Sequence, residues 1–454
     1  MKKIAIVGTG ISGLGAAYLL RSENNITVYE KAKQIGGHSR TMSVAYGGRT
    51  IPVDTGFIVF NKPNYPNFSA LLKHLNVKVH ESDMTFAATV RDGWLEWGAK
   101  DVRSILAQRR NLLRPQFYRL FRDILRFNAR ALETVETHPN LTLGELIGKL
   151  GLGRWFQQHY LLPMGGAIWS CPTHQMLEFP AESFVRFFAN HGLLALNGQP
   201  QWYTVTGGAQ EYVRKLTAEF AQRIRTNCGA ARITRTDGRV VITDTNGETE
   251  TYDDVVLACH GDEALSLLAD PSERETALLS AFRYQANRAI LHKDCSVMPK
   301  RKSCWASWVY RSDGHAVEPS ISVSYWMNCL QGIDANYPLF VTLNPTRPIR
   351  DEDIFDEHLF MHPVFDRAAI EAQPQIQKLQ GARNTWYCGA YLRHGFHEDG
   401  LWSAIQVATG LGARVPWAEA HAEASETSAG ERARRRVTDP LRPALTPAGA
   451  TAGT

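Results

Sequence analysis

Apolar positions at the start of the chain change rhythm twice within thirty residues. Lys2 to Val7 reads KKIAIV, a short β-branched run of strand length. Glycines then fall at Gly8, Gly10, Gly13 and Gly15, and Ala16 to Leu20 continue, small then apolar, as a packed helix would. A second strand, Ile26 to Tyr29, ends at Glu30. Further along, Phe57 to Phe60 reads as strand and Phe68 to Leu75 as a short amphipathic helix. Met84 to Val90 and Trp94 to Trp97 alternate around Asp92-Gly93, the signature of a hairpin. Val102 to Glu133 carries helical spacing that should break near Pro115. Residues 161–170 are apolar and glycine-bearing, and Phe184, Phe187 and Phe188 follow at helical spacing. A helix is predicted from Gln210 to Ala221, then short strands with turns at Asp237-Gly238 and Asn246-Gly247. Asp254 to His260 reads as a buried strand. Aromatic-rich strands follow, with Trp305, Trp308, Tyr310, Tyr325 and Trp326, either walling a pocket or packed on helices. The last strand is Trp386 to Tyr391, and a helix starts after Gly395. From Glu419 large apolar residues almost vanish, so 419–454 is expected to be a disordered tail.

Strand, glycine turn, helix, second strand and terminal acid together make a dinucleotide fingerprint. Gly8 permits the tight turn, Gly10 lets backbone approach a pyrophosphate, and Gly13 lets the helix sit close to the strand. Ile11 and Ser12 open the helix, whose free N–H groups and dipole favour phosphate. Glu30 stands where a carboxylate can accept from ribose hydroxyls. Met1-Lys2-Lys3 before an apolar stretch also suits a secretory leader. The four glycines and the second strand argue against that.

Composition adds limits more than chemistry. At 454 residues the chain should fold as two or three units. With 44% hydrophobic and 21% charged residues it has an ordinary globular composition. A net charge of +5 is too slight to argue for nucleic acid. No apolar run approaches the ~18–20 residues of a membrane span. Seven scattered cysteines without C-x-x-C fit a reduced, cytoplasmic setting and argue against a disulfide framework or a zinc site. One charge pattern stands out. Eight arginines lie between Arg103 and Arg130, against Asp123 alone, interleaved with Leu and Phe. That helix is either a basic amphipathic surface resting on anionic lipid or a solvated face over a core.

After Glu30 the text continues Lys31-Ala32-Lys33-Gln34-Ile35-Gly36-Gly37-His38-Ser39-Arg40-Thr41. This resembles the flavin-containing amine oxidase, protoporphyrinogen oxidase and phytoene desaturase superfamily, whose members bind FAD through an E-x(n)-G-G-R-x-x-T extension. His38 stands where that pattern usually has Arg, as in a bacterial amine-oxidase-like branch. Asp54-Thr55-Gly56 matches the family's D-x-G turn near the flavin, and Asp254 to Ala258 its second FAD strand. Gly395 to Ala408 matches its closing segment, although Ala390 replaces an acid. The resemblance implies an α/β fold: a Rossmann-like, glutathione-reductase-class FAD domain from 1–65, 203–265 and 383–418, with an inserted α+β substrate domain from 66–202 and 266–382. It implies FAD contacts from Gly8, Gly10, Ile11, Ser12, Gly13, Glu30, Lys31, Gly37, His38, Ser39, Asp54, Thr55, Gly56, Ile233, Ala258, Gly389, Glu398, Asp399 and Leu401.

The resemblance also frames the chemistry. Amine oxidases of this fold carry a Lys on the strand after the second FAD strand, and an aromatic in the closing segment as half of a cage around the amine. Spacing puts Asn287-Arg288 and Leu401 at those places. Both departures point toward FAD-dependent dehydrogenation of an apolar, lipid-like small molecule. Amine oxidation and a non-catalytic binding role remain as alternatives. Asn287, His397 and Arg393 are the candidate catalytic groups, with His394, Glu398 and His260 as further polar ones. The expected partner is a hydrophobic small molecule, without nucleic acid; a membrane surface joins it only if the Arg103–Arg130 helix rests on lipid and is not a solvated face.

Overall fold

A computed structural model describes residues 1–169, 175–195, 199–312 and 322–417. Ser170, Cys171 and the expected tail 419–454 lie outside the described residues. Met1–Arg414 forms one compact unit; of a second, Val415–Thr454, only the first three residues are described.

The unit is built on a five-stranded parallel sheet. Its spatial order is Ile224–Arg225, Asn25–Tyr29, Lys3–Val7, Asp254–Leu257 and Thr385–Tyr387. We label Lys3–Val7 β1, the helix Ile11–Leu20 α1 and Asn25–Tyr29 β2. Parallel neighbours require long crossovers, so sequence-distant stretches meet edge to edge here. Central strands of such a sheet are covered on both faces, which is why IAIV and DVVL read as continuous buried runs. All ten residues of α1 are buried. The closing helix His397–Gly410 packs across it, and a Cβ on Gly15 would stand 2.9 Å from Leu401 Cδ1. The small residue sets that helix spacing.

A seven-stranded sheet forms the other half. Its order is Ile354–Val364, Arg283–His292, Phe340–Leu343, Ser322–Trp326, Trp308–Ser312, Phe86–Val90 and Leu95–Gly98. Only the pair Trp308–Ser312 and Phe86–Val90 runs parallel. The largest apolar cluster joins this sheet to the helices Pro115–Thr137 and Ala181–Asn190. Tyr310 and Tyr325 belong to that cluster, which favours the packed-face reading of the aromatic strands. The arginine-rich stretch is less helical than its spacing predicts. Val102–Ile105 is a single turn, Arg109–Leu113 a 3-10 turn, and the long helix starts at Pro115. Proline lacks an N–H and has a preset φ, so it suits the first helical position.

Candidate active site

The C-terminal edge of the parallel sheet is where an open α/β sheet places its ligand. Gly8 follows β1 with φ +105°, and a Cβ there would sit 2.8 Å from the Ala258 carbonyl oxygen. Ala258 N donates to Val7 O at 2.9 Å, so β1 and the strand Asp254–Leu257 end side by side. A Cβ on Gly13 would fall 1.9 Å from Gly8 O. Gly10 differs: a Cβ there meets nothing within 4 Å. Gly36 N donates to Thr9 O at 3.1 Å, which brings the second glycine pair over the first turn. Gly37 has φ +56° and is exposed beside Gly10. Glu30 ends β2, accepting from Thr9 N at 3.1 Å and Ala32 N at 2.8 Å, and from the Thr9 hydroxyl. Lys31 turns outward to Glu263 at 2.5 Å.

Ile233 is wholly buried in the core, and its carbonyl accepts from Ala269 N. The backbone lying beside Glu30 belongs to Asn227 and Cys228, whose N–H groups donate to Ala32 O and Glu30 O.

Asp54 and Thr55 serve the loop itself. Asp54 accepts from Thr41 Oγ1 at 2.6 Å, Ala209 N at 2.9 Å and Gln331 Nε2 at 3.0 Å. Burial pushes its carboxyl up to about 7 against the bonds from Thr41 and Ala209. Thr55 Oγ1 accepts from Arg40, which also grips Asp356 with both terminal nitrogens at 2.6 and 3.0 Å. Gly56 passes beneath His38, because a Cβ would lie 2.2 Å from His38 O. His38 Nε2 is buried and has no hydrogen-bond partner. An orphaned imidazole nitrogen beside two glycine loops is what a bound polar group would satisfy.

The side chains of the closing helix's first turn are used for packing and capping. His397 stacks on Phe57, ring centroids 3.9 Å apart, and lies 2.7 Å from the Tyr212 hydroxyl, which donates to Ser39. Burial takes its imidazole down to about 3. It therefore ties the helix to the glycine loop as a neutral ring and is enclosed on its reactive side. Glu398 accepts from Asn67 N, Asn67 Nδ2 and Phe68 N at 2.7–3.0 Å, capping the helix Pro66–His74. Asp399 accepts from Phe396 N and His394 N, capping its own helix. Leu401 is fully buried in the seam with α1. Arg393 lies over Trp402 and 3.7 Å from Asp399, partly in solvent. It, too, is placed for structure. What this turn still offers a ligand is backbone N–H, since the first donors of a helix have no intrahelical acceptor. Gly389 N is satisfied by Ser403 Oγ at 2.9 Å. The two helix N-termini converge: a Cβ on Gly400 would stand 2.8 Å from Ile11 Cγ2 and 2.9 Å from Ser12 Oγ.

The closing segment holds two aromatics, Trp402 beside Leu401 and under Arg393, and Phe396 five residues before Leu401. Phe396 stacks on Phe187 at 4.8 Å, Phe187 on His191 at 3.8 Å, and His191 lies 6.4 Å from Trp202. Trp202 borders an open groove of about 450 Å³, lined also by Glu81 to Met84 and Gln199 to Gln201.

Asn287 is fully buried on Arg283–His292. Arg288 N donates to Asn344 Oδ1 at 2.9 Å, Asn344 Nδ2 to Asn287 Oδ1 at 2.7 Å, and Asn287 Nδ2 contacts His362 Nδ1 at 3.0 Å. A backbone donor thus fixes the polarity of the whole line. His362 Nδ1 must accept, so the neutral ring carries its proton on Nε2. Burial holds His362 down at about 4. Its ring lies 5.3 Å from that of His38, and Phe360 lies 4.8 Å from His38. His260 is stacked on Tyr284 at 4.2 Å, and Arg288 is turned outward to Glu357. Sequence reasoning did not single out His362, Asn344 or Phe396. The period-two series His358, Phe360, His362 was the available signal for one strand face.

A nucleotide edge with open space at Gly10, an exposed Gly37 and an unpartnered His38 nitrogen fits a flavin dinucleotide. The class is that of FAD-binding, Rossmann-like proteins. Residues 11–332 match the family described as flavin containing amine oxidoreductase, and the chain belongs to that family. It is an FAD-dependent oxidoreductase. Solved structures share the fold across different activities. A CLA-producing fatty acid isomerase from P. acnes is 17% identical, with 90% of this chain and 98% of that chain covered at a TM-score of 0.64. Cyclohexylamine oxidase from Brevibacterium oxydans is 14% identical, with 90% and 99% covered at 0.62. A reduced UDP-galactopyranose mutase is 16% identical, with 90% and 95% covered at 0.64. A search among curated protein sequences found no match.

Proposed function

We propose that this oxidoreductase dehydrogenates an apolar, lipid-like substrate. The carrying observation is the uncharged Asn344–Asn287–His362 line where the resemblance puts a lysine in amine oxidases. A site whose polar groups are amides and neutral imidazoles suits a substrate with no charge at its reacting carbon. The ring row Phe396, Phe187, His191 and Trp202 supports the same reading, as an apolar wall running toward an open groove. The fatty acid isomerase fold relative is compatible with it.

On this reading the turn from Gly8 to Gly13 and Gly37 would hold the pyrophosphate, and Glu30 the ribose. His38, Ala258 and the first-turn N–H groups of the closing helix would face the ring system. The segments 1–65, 203–265 and 383–418 would serve the cofactor, and 66–202 and 266–382 the substrate. FAD, when bound, supplies the hydride acceptor. The chain's own part is to orient the substrate between rings, exclude water, and hold a proton on His362 Nε2. A second reading, amine oxidation, is favoured by one observation: Phe396 restores the aromatic that Leu401 had seemed to replace.

Anaerobic absorbance of the yellow protein separates the two. Bleaching by an unsaturated fatty acid or phospholipid, but by no amine, is expected. Bleaching by a primary amine alone would overturn the lipid reading.

A further inference from the structure

Exposed large apolar side chains are concentrated in one stretch of this protein. Among the described residues eight are exposed, and six of them lie between Val102 and Leu125. Leu113 is 86% exposed and Tyr118 56%. Single exposed leucines are ordinary, whereas a cluster marks a contact surface.

The cluster has a defined geometry. On the helix Pro115–Thr137, Tyr118, Arg122 and Leu125 fall at i, i+4 and i+7 and so share one stripe. Phe117, Leu120, Ile124 and Phe127 are buried on the opposite side. The Tyr118 hydroxyl donates to Leu112 O at 2.9 Å, which fastens the turn Arg109–Leu113 to the same stripe. Leu112 and Leu113 therefore extend the apolar line at the helix start.

Within the stretch 103–130 the exposed charge has one sign. Eight arginines lie between 103 and 130, and the only acid among them, Asp123, is 1% exposed. Asp123 accepts from Arg122 and from Gly153 N, so it contributes nothing outward. Arg109, Arg119 and Arg130 are exposed. Arginine stems can lie along apolar surface while their guanidinium groups reach a polar layer. Between 103 and 130, apolar side chains flanked by cations and no exposed acid match the interface of an anionic bilayer; the exposed Glu133 and Glu136 lie beyond that stretch, near the end of the helix. A second copy of the chain would bring two arginine fields face to face, which Coulomb repulsion disfavours. Nucleic acid would use the cations but leave Leu113 and Leu125 in water.

We propose that the surface from Arg109 to Arg130 docks this protein on an anionic lipid bilayer. Its test does not read flavin reduction, so it stands or falls apart from the identity of the oxidised substrate.

The FAD-bound protein is sedimented with phosphatidylcholine vesicles and with vesicles containing phosphatidylglycerol. Binding to the anionic vesicles is expected, at least tenfold tighter than to the neutral ones, and weakened about tenfold on going from ~0.1 to ~1 M salt as the Debye length shrinks. R109E/R119E/R130E should lose at least tenfold on anionic vesicles with its yellow colour intact. L112S/L113S should weaken binding to both kinds. Equal binding to both vesicles, no binding, or an unchanged charge-reversal variant would overturn the proposal. So would vesicle-independent self-association abolished by L112S/L113S, which would give the surface to a second copy.

Discussion

Asn287 Nδ2 donates to His362 Nδ1 across 3.0 Å, and that bond decides where the imidazole proton sits. Replacing Asn287 with alanine removes the donor and leaves both ring tautomers accessible. Removing the outer hydrogen-bond partner of a metal-bound histidine costs about 10–100-fold, and we carry that range over to this metal-free pair. We expect N287A to bind FAD normally and to slow anaerobic flavin reduction by that amount. N287D should act in the other direction on the pH profile. A carboxylate beside Nδ1 favours the imidazolium, so the His362 transition rises from about 4 toward neutrality. A rate that is flat with pH in both the native protein and N287D would remove His362 from the reaction.

Gly10 and Gly13 separate binding from folding. A Cβ on Gly10 meets no protein atom within 4 Å, and its φ of −64° is open to any residue. Gly10→Val should fold with a stability change within about 0.5 kcal/mol and lose at least tenfold in flavin occupancy. A Cβ on Gly13 would lie 1.9 Å from Gly8 O, so Gly13→Val should not fold. Full flavin content in Gly10→Val would sink the assignment of this turn.

The fold class was legible because its signal is local. Strand, glycine turn, helix and acid lie within the first thirty residues, and the Gly36-Gly37 pair soon after marked the family. The site was legible only in part, for three physical reasons. Contacts made across strands leave no local trace: Asn344, Asn287 and His362 come from three stretches that only sheet pairing unites. First-turn acids have two uses, and Glu398 and Asp399 took the capping one, which S/T/D-type spacing rules already allow. A buried side chain says nothing of its main chain: Ile233 and Leu401 pack in the core, so any cofactor contact there is left to the backbone, which the residue type does not reveal.

Leu401 and Phe396 can be told apart by what their removal changes. Leu401 is fully buried against α1, so Leu401→Ala should cost about 2–5 kcal/mol through a cavity in that seam. Flavin retention should fall with it, because the seam carries both helix N-termini. Phe396 is partly exposed and stacked on Phe187. Phe396→Leu should leave the unfolding temperature almost unmoved and raise KM for the substrate. Equal thermal losses in both variants would return Phe396 to the core.

Acid should destabilise this protein well above the carboxylate range, and His292 shows why. It is fully buried, with Nε2 against Thr342 Oγ1 at 2.8 Å and Nδ1 accepting from Asp294 N at 3.1 Å. Both nitrogens are satisfied only when the ring is neutral. Burial lowers its transition from the ordinary 6.5 to about 4. The unfolded chain therefore takes up this proton first as pH falls. The stability tied to the neutral ring is complete above 6.5 and is lost progressively between 6.5 and 4, at about 1.4 kcal/mol per pH unit. His159 and His191, each also held near 4 by burial, add slope of the same sign. Urea midpoints should fall from pH 7 to pH 5, and His292→Gln, which keeps a donor for Thr342, should flatten that fall by about one proton. An unchanged slope in His292→Gln would mean that the ring is already protonated in the folded protein.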